Sequence, residues 1–591
     1  MIKCSDLKPG MVPCWEPAWK GRFEFELQDL AAFVGDTLLI DEELLAEGGL
    51  RLEFDWRLSD GRIFPLQAAF PDTYPFVRPQ VVLRGDPSTF PEKHCSPADG
   101  TLCLLGRDTG LWSAEWTLAT LLERQLENAL NGRGPEDPQG EPMEVWWNYL
   151  APEFKRFVDG SYVLVDSAWD LEDAAGGSLR LTYLMEKVGE GISFRGAVDE
   201  IKDDNGTVLA TRSFPLPREL QARSKAATFP WRRVDRFAPP PREKWLDGDE
   251  SLREKIDFNQ RPIDNSSPSI SLSVTVQSTE LSAGAKGDTY LFPLLFGPAR
   301  SFRPAKPGQR VSKPSLVIIP THRAGEGDIG SRVPSVGILR NKTVAVFGMG
   351  AIGAPVAIEL ARNGCRQLVV VDHDVVEPGN SIRWPLGATA WGVRKTAAIK
   401  QHVEAEYPWT SVESVQHFIG MPSASGGEGD SSVLPPIIAK ADLVIDATAS
   451  SGISRLLAEF CKKAAKPLIS VFGTSSLKGG IVAYYHPTSG CPTCREFAYD
   501  KRLIDKPPGS GESSGLRQPP GCSELTFTGA SFDLQELSLE SLRLAVDVLS
   551  RPEQFEQSVI HTLALHDGSR RLPPSWRIDE LHCAPECGCN H

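Results

Sequence analysis

The chain has 591 residues, a formal net charge of −14 at pH 7 and twelve cysteines. That length predicts about three or four domains, each able to bury its own core. The acidic balance argues against nucleic acid as the main partner, and no apolar run reaches the roughly 18 residues that signal a membrane span. The opening MIKCSDLKPGMVPCWEP lacks the apolar core of a signal peptide. Most cysteines stand isolated, without the spacing of a disulfide framework, and that fits a reducing cytoplasm.

Residues 23–33 have helical apolar spacing, with Leu27, Leu30 and Ala31 among the apolar positions. Residues 50–56 and 63–70 alternate as strands do, and Asp60-Gly61 between them is a hairpin signal. A third strand over 79–83 follows F-P-D-T-Y-P-F-V-R-P, whose prolines dictate a rigid, irregular loop. Next come H-C-S-P-A-D-G-T-L-C-L-L, Trp112, Trp116 and a helical stretch over 118–130. A cysteine flanked by leucines, as Cys103 is, ordinarily reads as a small buried hydrophobe. The order of features points elsewhere, because it resembles ubiquitin-conjugating enzymes over about 23–149. The resemblance implies that Cys103 accepts an activated protein as a thioester. It also exposes a departure: positions 94–96 read His-Cys-Ser where the family has His-Pro-Asn. Ser96, Asp99 or backbone N–H groups are the available substitutes for the missing Asn. Cys95 is a competing thiol, and Cys103 is preferred for its spacing to Trp112 and the following helix.

Between about 160 and 332 the pattern is mostly β. Strands are expected over 161–166, 179–186, 192–197, 269–277, 290–295 and 316–319, with a turn at Asp203-Asp204-Asn205-Gly206 and a long loop near 225–265. No catalytic pattern occurs here. The expectation is a connecting domain that positions its neighbours, with a docking surface for a protein substrate as the sharper alternative.

The most informative stretch is 342–395. Thr343–Phe347 is a short β-branched strand, and Gly348, Gly350 and Gly353 then give G-x-G-x-x-G at the start of a helix. Such glycines let the backbone approach a phosphate, which the helix N-terminus also favours. A second strand ends in Asp372, placed to accept from ribose hydroxyls. Alone, the motif reads as a dinucleotide site. Asn380, Arg383 and Lys395 argue otherwise, because an enzyme cleaving ATP between its α- and β-phosphates needs charge on the leaving pyrophosphate. A later apolar strand ends in Asp446, a natural carboxylate for Mg²⁺. Together these resemble the adenylating domain of the ubiquitin-activating family, which includes the ThiF and MoeB sulfur-carrier activators, over about 332–591. The resemblance implies Gly348, Gly350 and Gly353 under the phosphates and Asp372 on the ribose. It places Asn380, Arg383 and Lys395 on the phosphates and Asp446 at the metal. It further implies a homodimer contributing an arginine across the interface, with Arg332 and Arg340 as candidates.

Cys491 and Cys494 form C-x-x-C, and the tail carries Cys583, Cys587 and Cys589. Two distant cysteine pairs suit a tetrahedral Zn²⁺ site. Cys491, Cys494, Cys587 and Cys589 are the assigned ligands, although C-x-x-x-C-x-C leaves one of the three tail cysteines surplus and its pattern does not say which. Cys522 follows a Gly-, Ser- and Pro-rich stretch over 507–521 that predicts a mobile loop. A cysteine there could attack an acyl adenylate, expelling AMP. Ser523 and Thr526 are alternative nucleophiles.

The fold class expected is α/β and α+β multidomain. A ubiquitin-conjugating-like α+β domain (1–158) is followed by a mostly β connecting domain (159–331) and a Rossmann-like adenylating domain (332–591). The whole resembles conjugating–activating fusions of bacterial antiphage operons, including CBASS. The function implied is adenylation of a protein C-terminal carboxylate with ATP and Mg²⁺, transfer to Cys522 and then Cys103, and conjugation to a target amine. The modifier would be a ubiquitin-like protein or a cyclic-nucleotide synthase. Sulfur-carrier adenylylation, a nicotinamide dehydrogenase and a non-catalytic scaffold are the competing classes.

Overall fold

The computed structural model describes residues 1–85, 94–95, 100–105, 112–130, 160–171, 173–188, 191–234, 269–282, 285–297, 315–421, 429–518 and 526–589. The chain divides into two compact units, Met1–Asp328 and Ile329–His591.

The first unit contains two sheets. The N-terminal one is antiparallel, in the order β1 (Ile2–Lys3), β2 (Leu39–Ile40), β3 (Leu50–Arg57), β4 (Ile63–Phe70) and β5 (Gln80–Leu83). Strand β3 buries Leu50, Leu52, Phe54 and Trp56, the alternation that a sheet with one covered face requires. Its cover includes α1 (Arg22–Val34), which turns Phe23, Glu26, Leu30 and Val34 inward. The Asp60-Gly61 turn forms as expected: Gly61 has φ +88° and the Arg62 N–H donates to Asp60 at 3.0 Å.

Glu26 is a carboxylate in that core, only 1% exposed. It accepts from the Leu118 N–H at 2.9 Å, from the Tyr74 hydroxyl and from Arg22. These bonds join α1, the proline-rich loop and the start of α2 (Leu118–Leu130). Burial drives the Glu26 carboxyl above its ordinary pKa, and its donors only partly offset that. Trp112 Nε1 pins the same loop by donating to the Pro75 carbonyl at 2.7 Å.

The second sheet has ten strands. Its main path runs β11 (Ser269–Leu272), β13 (Ala285–Gly297), β12 (Val274–Ser282), β10 (Lys225–Arg233), β7 (Gly176–Val188), β8 (Gly191–Asp203), β6 (Tyr162–Val165) and β15 (Thr321–Arg323). Strand β9 (Val208–Thr211) adds to β8, and β14 (Ser315–Ile319) to β13. The expected loop near 225–265 is therefore wrong at its start. Lys225–Arg233 is an interior strand, antiparallel to β7 and parallel to β12. Phe229 and Trp231 point inward, but Pro230 interrupts the run, and a proline there argues against a central strand. The remainder of that stretch, from 235 to 265, lies outside the described residues.

The second unit is built on an eight-stranded sheet. Its parallel part has the order β18 (Ser411–Gln416), β17 (Gln367–Asp372), β16 (Thr343–Phe347), β19 (Leu443–Asp446) and β20 (Leu468–Gly473). Strands β21 (Gly479–Tyr485), β24 (Ser558–Asp567) and β25 (Arg570–Leu581) continue it antiparallel, while β22 (Leu516–Arg517) and β23 (Thr526–Phe527) pair separately. The inner parallel strands β17, β16 and β19 are near-continuous apolar runs because helices cover both faces, whereas β18 at the edge is largely polar. Among these helices are α3 (Gly353–Arg362), α4 (Lys395–Glu406) and α5 (Ser531–Ser550). No described helix is long and apolar enough to cross a membrane.

Where a mobile loop was expected over 507–521, the described part is tied down. Thr474 Oγ1 donates to the Pro508 carbonyl at 3.0 Å, and Lys478 pairs with Glu512 at 2.8 Å. A Cβ at Gly515 would lie 2.0 Å from the Ser475 carbonyl oxygen, so glycine there permits close packing rather than freedom.

Candidate active site

Strand β16 has β17 on one side and β19 on the other, both parallel to it. The chain reverses its direction of travel across the sheet at β16, so a crevice opens at the carboxyl ends of these strands. Gly348, Asp372 and Asp446 all stand at those ends.

The glycine loop is shaped by close approach. Gly348 has φ +86°, and a Cβ on it would lie 2.8 Å from the Ala447 carbonyl oxygen. A Cβ on Gly353 would lie 1.9 Å from the Gly348 carbonyl oxygen, which holds the start of α3 against the loop. Gly350 differs: nothing lies within 4 Å of its Cβ position. A cradle closed beneath and open at Gly350 fits the phosphates of a nucleotide.

A hydrogen-bond chain links Asp372 and Lys395 to this loop. Asp372 accepts from the Met349 N–H at 2.5 Å and from the Asp374 N–H at 2.7 Å. Lys395, the first residue of α4, is 9% exposed. Its N–H donates to the Asp374 carbonyl at 2.9 Å, and its Nζ to Asp374 Oδ2 at 2.8 Å. Asn380 caps a short helical turn by accepting from the Glu377 N–H at 3.0 Å. Arg383 donates to the Phe527 carbonyl and lies over the Phe527 ring, and burial pulls its guanidinium pKa down. Two contacts were not foreseen. Trp384 Nε1 donates to the Met349 carbonyl at 2.8 Å, and Ser538 on α5 donates to the Ile352 carbonyl at 3.2 Å. Only the neighbourhood of Trp384 to Arg383 hinted at the first, and no local pattern marks Ser538.

Asp446 pairs in register with Phe347 but is only 1% exposed. One oxygen accepts from the Thr448 N–H at 3.0 Å and its hydroxyl at 2.7 Å. The other accepts from the Ser454 hydroxyl and from the Ser470 hydroxyl at 3.1 Å. A carboxylate has about four lone-pair positions, so this one is saturated. For it to hold Mg²⁺, at least one hydroxyl must turn away. Asp372, His373 and Asp374, at the carboxyl end of β17, form a separate group of closely spaced ligand atoms.

Cys491, Cys494, Cys587 and Cys589 meet at one point, their sulfurs all within 4.8 Å of one another. The Cys491–Cys494, Cys491–Cys587 and Cys494–Cys589 separations are 3.7, 3.4 and 3.2 Å. Tetrahedral zinc–sulfur bonds of about 2.3 Å imply sulfurs about 3.8 Å apart, so the arrangement suits that ion. Burial, with the neighbouring sulfurs, pushes the Cys587 thiol up to about 12 and Cys589 higher still. A divalent cation would remove that opposition to ionising them together. Cys583 is not in the group.

In the first unit, residues 100–103 add to β5: Thr101 bridges Val82, and the Leu102 N–H donates to the Val81 carbonyl at 2.8 Å. On their other side the Cys103 N–H donates to the His94 carbonyl at 2.9 Å. Leu102 and Leu104 point into the core, and Cys103 between them is half-buried. Cys95, the competing thiol, is 1% exposed within that core. Cys522, Ser523, Ser96 and Asp99 lie outside the described residues. Of the two arginines considered for a dimer interface, Arg332 is exposed, whereas Arg340 packs over Gly330.

Residues 332–518 match the ThiF family. Along its whole length the chain is similar to the uncharacterized protein y4qC of Sinorhizobium fredii, 44% identical over 592 residues and covering 99% of both chains. The uncharacterized protein y4oA of the same organism is 28% identical over 611 residues, 97% of each chain. The ATP-dependent ubiquitin transferase-like protein Cap2 of Enterobacter hormaechei is 26% identical over 185 residues, 30% of each chain.

Proposed function

Because this chain belongs to the family of the Sinorhizobium fredii protein y4qC and carries a ThiF-type adenylating domain in its C-terminal unit, we propose that it activates the C-terminal carboxylate of a small protein and passes it through cysteine thioesters to an amine. One observation carries the reading. The chain of hydrogen bonds from Lys395 through Asp374 and Asp372 to Met349 brings a buried cation to the mouth of the glycine loop.

In the first step the carboxylate attacks the α-phosphorus of ATP and pyrophosphate departs. Lys395, Arg383 and Asn380 offset the charge that builds on the leaving group. Asp372 orients the ribose, and Asp446 with the Asp372–Asp374 group supplies the carboxylates for a cation. Bound Mg²⁺ would neutralise part of the phosphate charge. In the second step the Cys522 thiolate attacks the acyl carbonyl and AMP leaves. In the third, Cys103 takes the acyl group and presents it to an amine, which forms the amide and frees the thiol. The similarity over 185 residues to a protein named ubiquitin transferase-like is consistent with this reading. A homodimer with Arg332 reaching the partner's site, structural zinc at the four cysteines, and a role in antiphage defence complete the reading.

Intact-mass spectrometry after incubation with ATP, Mg²⁺ and a ubiquitin-like protein or cyclic-nucleotide synthase tests it. The expected products are AMP, pyrophosphate and a reductant-sensitive adduct on the chain. ATP turnover with no adduct would support a simple adenylyltransferase, and no pyrophosphate release would remove the reading.

A further inference from the structure

The pairing of residues 100–103 with β5 fixes which side chains share a face with Cys103. Thr101 stands opposite Val82, so antiparallel register sets Cys103 opposite Gln80. Gln80 Nε2 donates to Thr101 Oγ1 at 3.2 Å, so these side chains lie on one side. Val81, Leu83, Leu102 and Leu104 occupy the other side and are buried. The alternation continues past buried Pro79 to Arg78, which is half-buried on the Cys103 face at the diagonal position. The loop carrying it is held by Tyr74 on Glu26 and by Trp112 on the Pro75 carbonyl.

Resting on the thioester reading above, we propose that Arg78 is a positioning residue for the Cys103 thiol, holding a fixed positive charge beside it that favours the thiolate. A guanidinium stays charged under all working conditions and lowers the pKa of a neighbouring thiol. Burial draws the Arg78 pKa down, and the facing Cys103 sulfur draws it back up. The segment beside Cys103 contributes His94 through its carbonyl, while Cys95 is turned into the core. In the step served, the Cys103 thiol loses its proton and the sulfur attacks the carbonyl of the donor thioester. A new carbon–sulfur bond forms, the donor's breaks, and the departing donor thiolate takes up a proton.

The test is the pH dependence of iodoacetamide alkylation at Cys103 in the full chain, read by peptide mass spectrometry. Arg78→Gln should move the profile to higher pH and slow alkylation at neutral pH about tenfold, the equivalent of one pKa unit. Arg78→Lys should restore most of the rate. Should Arg78→Gln not fold, Arg78→Met, which keeps an apolar stem of similar length without the charge, should shift the profile the same way. An unmoved profile in whichever folded charge-free variant is measured overturns the proposal. The two readings separate cleanly. A shifted profile without acyl loading would defeat only the thioester function, whereas normal loading with an unmoved profile would defeat only the role of Arg78.

Discussion

The guanidinium of Arg383 lies 4.4 Å from the centroid of the Phe527 ring. One of the residues assigned to the phosphates therefore also anchors the strand that follows the segment containing Cys522. If phosphate binding draws Arg383 away, that anchor is released when substrate arrives. Phe527→Ala should weaken loading of Cys522 more than pyrophosphate exchange, and equal losses in both would detach the two events.

Lys395→Ala should lower ATP–pyrophosphate exchange by about 10²–10³, because removing one preorganised charge typically costs about 3–4 kcal/mol. The unfolding temperature should change little, since Asp374, its partner, is half exposed and can be solvated. Exchange at the normal rate would mean that the phosphates lie elsewhere.

Asp446→Ala should behave differently. It removes the acceptor of Thr448, Ser454 and Ser470 in a buried site. Each stranded buried hydroxyl costs roughly 1–3 kcal/mol. Both exchange and the calorimetric unfolding temperature of the C-terminal unit should fall. Lost activity with unchanged stability would show that the hydrogen bonds matter less than their geometry suggests.

Metal analysis should find one zinc per chain. Cys583→Ser should keep it and Cys589→Ser should lose it, because only Cys589 belongs to the sulfur cluster. The ligands must be deprotonated to bind, so acidification should release the ion and alkaline pH should retain it. Zinc kept by Cys589→Ser would move the fourth ligand elsewhere.

The two cysteines proposed to carry the acyl group can be ordered by mass spectrometry. Cys522→Ala should still form the adenylate but load neither site. Cys103→Ala should load Cys522 and yield no amide. Serine at either position should trap an ester that resists thiol reductant. Wild-type charging of Cys103 in Cys522→Ala would point to direct transfer, or to Ser523 or Thr526.

What the sequence disclosed followed from local rules. The glycines, Asp372 and Lys395 were legible because each sits at a strand end or helix start, where spacing along the chain sets position in space. The helix at Leu118–Leu130 was legible from its periodicity. Strand β10 was hidden by Pro230. The support from Trp384 and Ser538 was hidden by sequence distance, since Ser538 meets Ile352 across 186 positions. The saturation of Asp446 could not be read at all, because it depends on two serines brought in by α-helical and strand packing.

The four-cysteine cluster joins Cys491 to Cys587 across 96 positions of chain. A metal there would act as a clasp, turning everything between into a closed ring that includes Cys522. Strand β24, inside the ring, already pairs with β21, which lies just before Cys491 and outside it. A protease cutting the backbone near Cys522 would then leave two fragments that stay joined in native solution. They would part only after chelation and denaturation. With such a clasp the domain would keep its C-terminal strands even after a cut in the chain between Cys491 and Cys587.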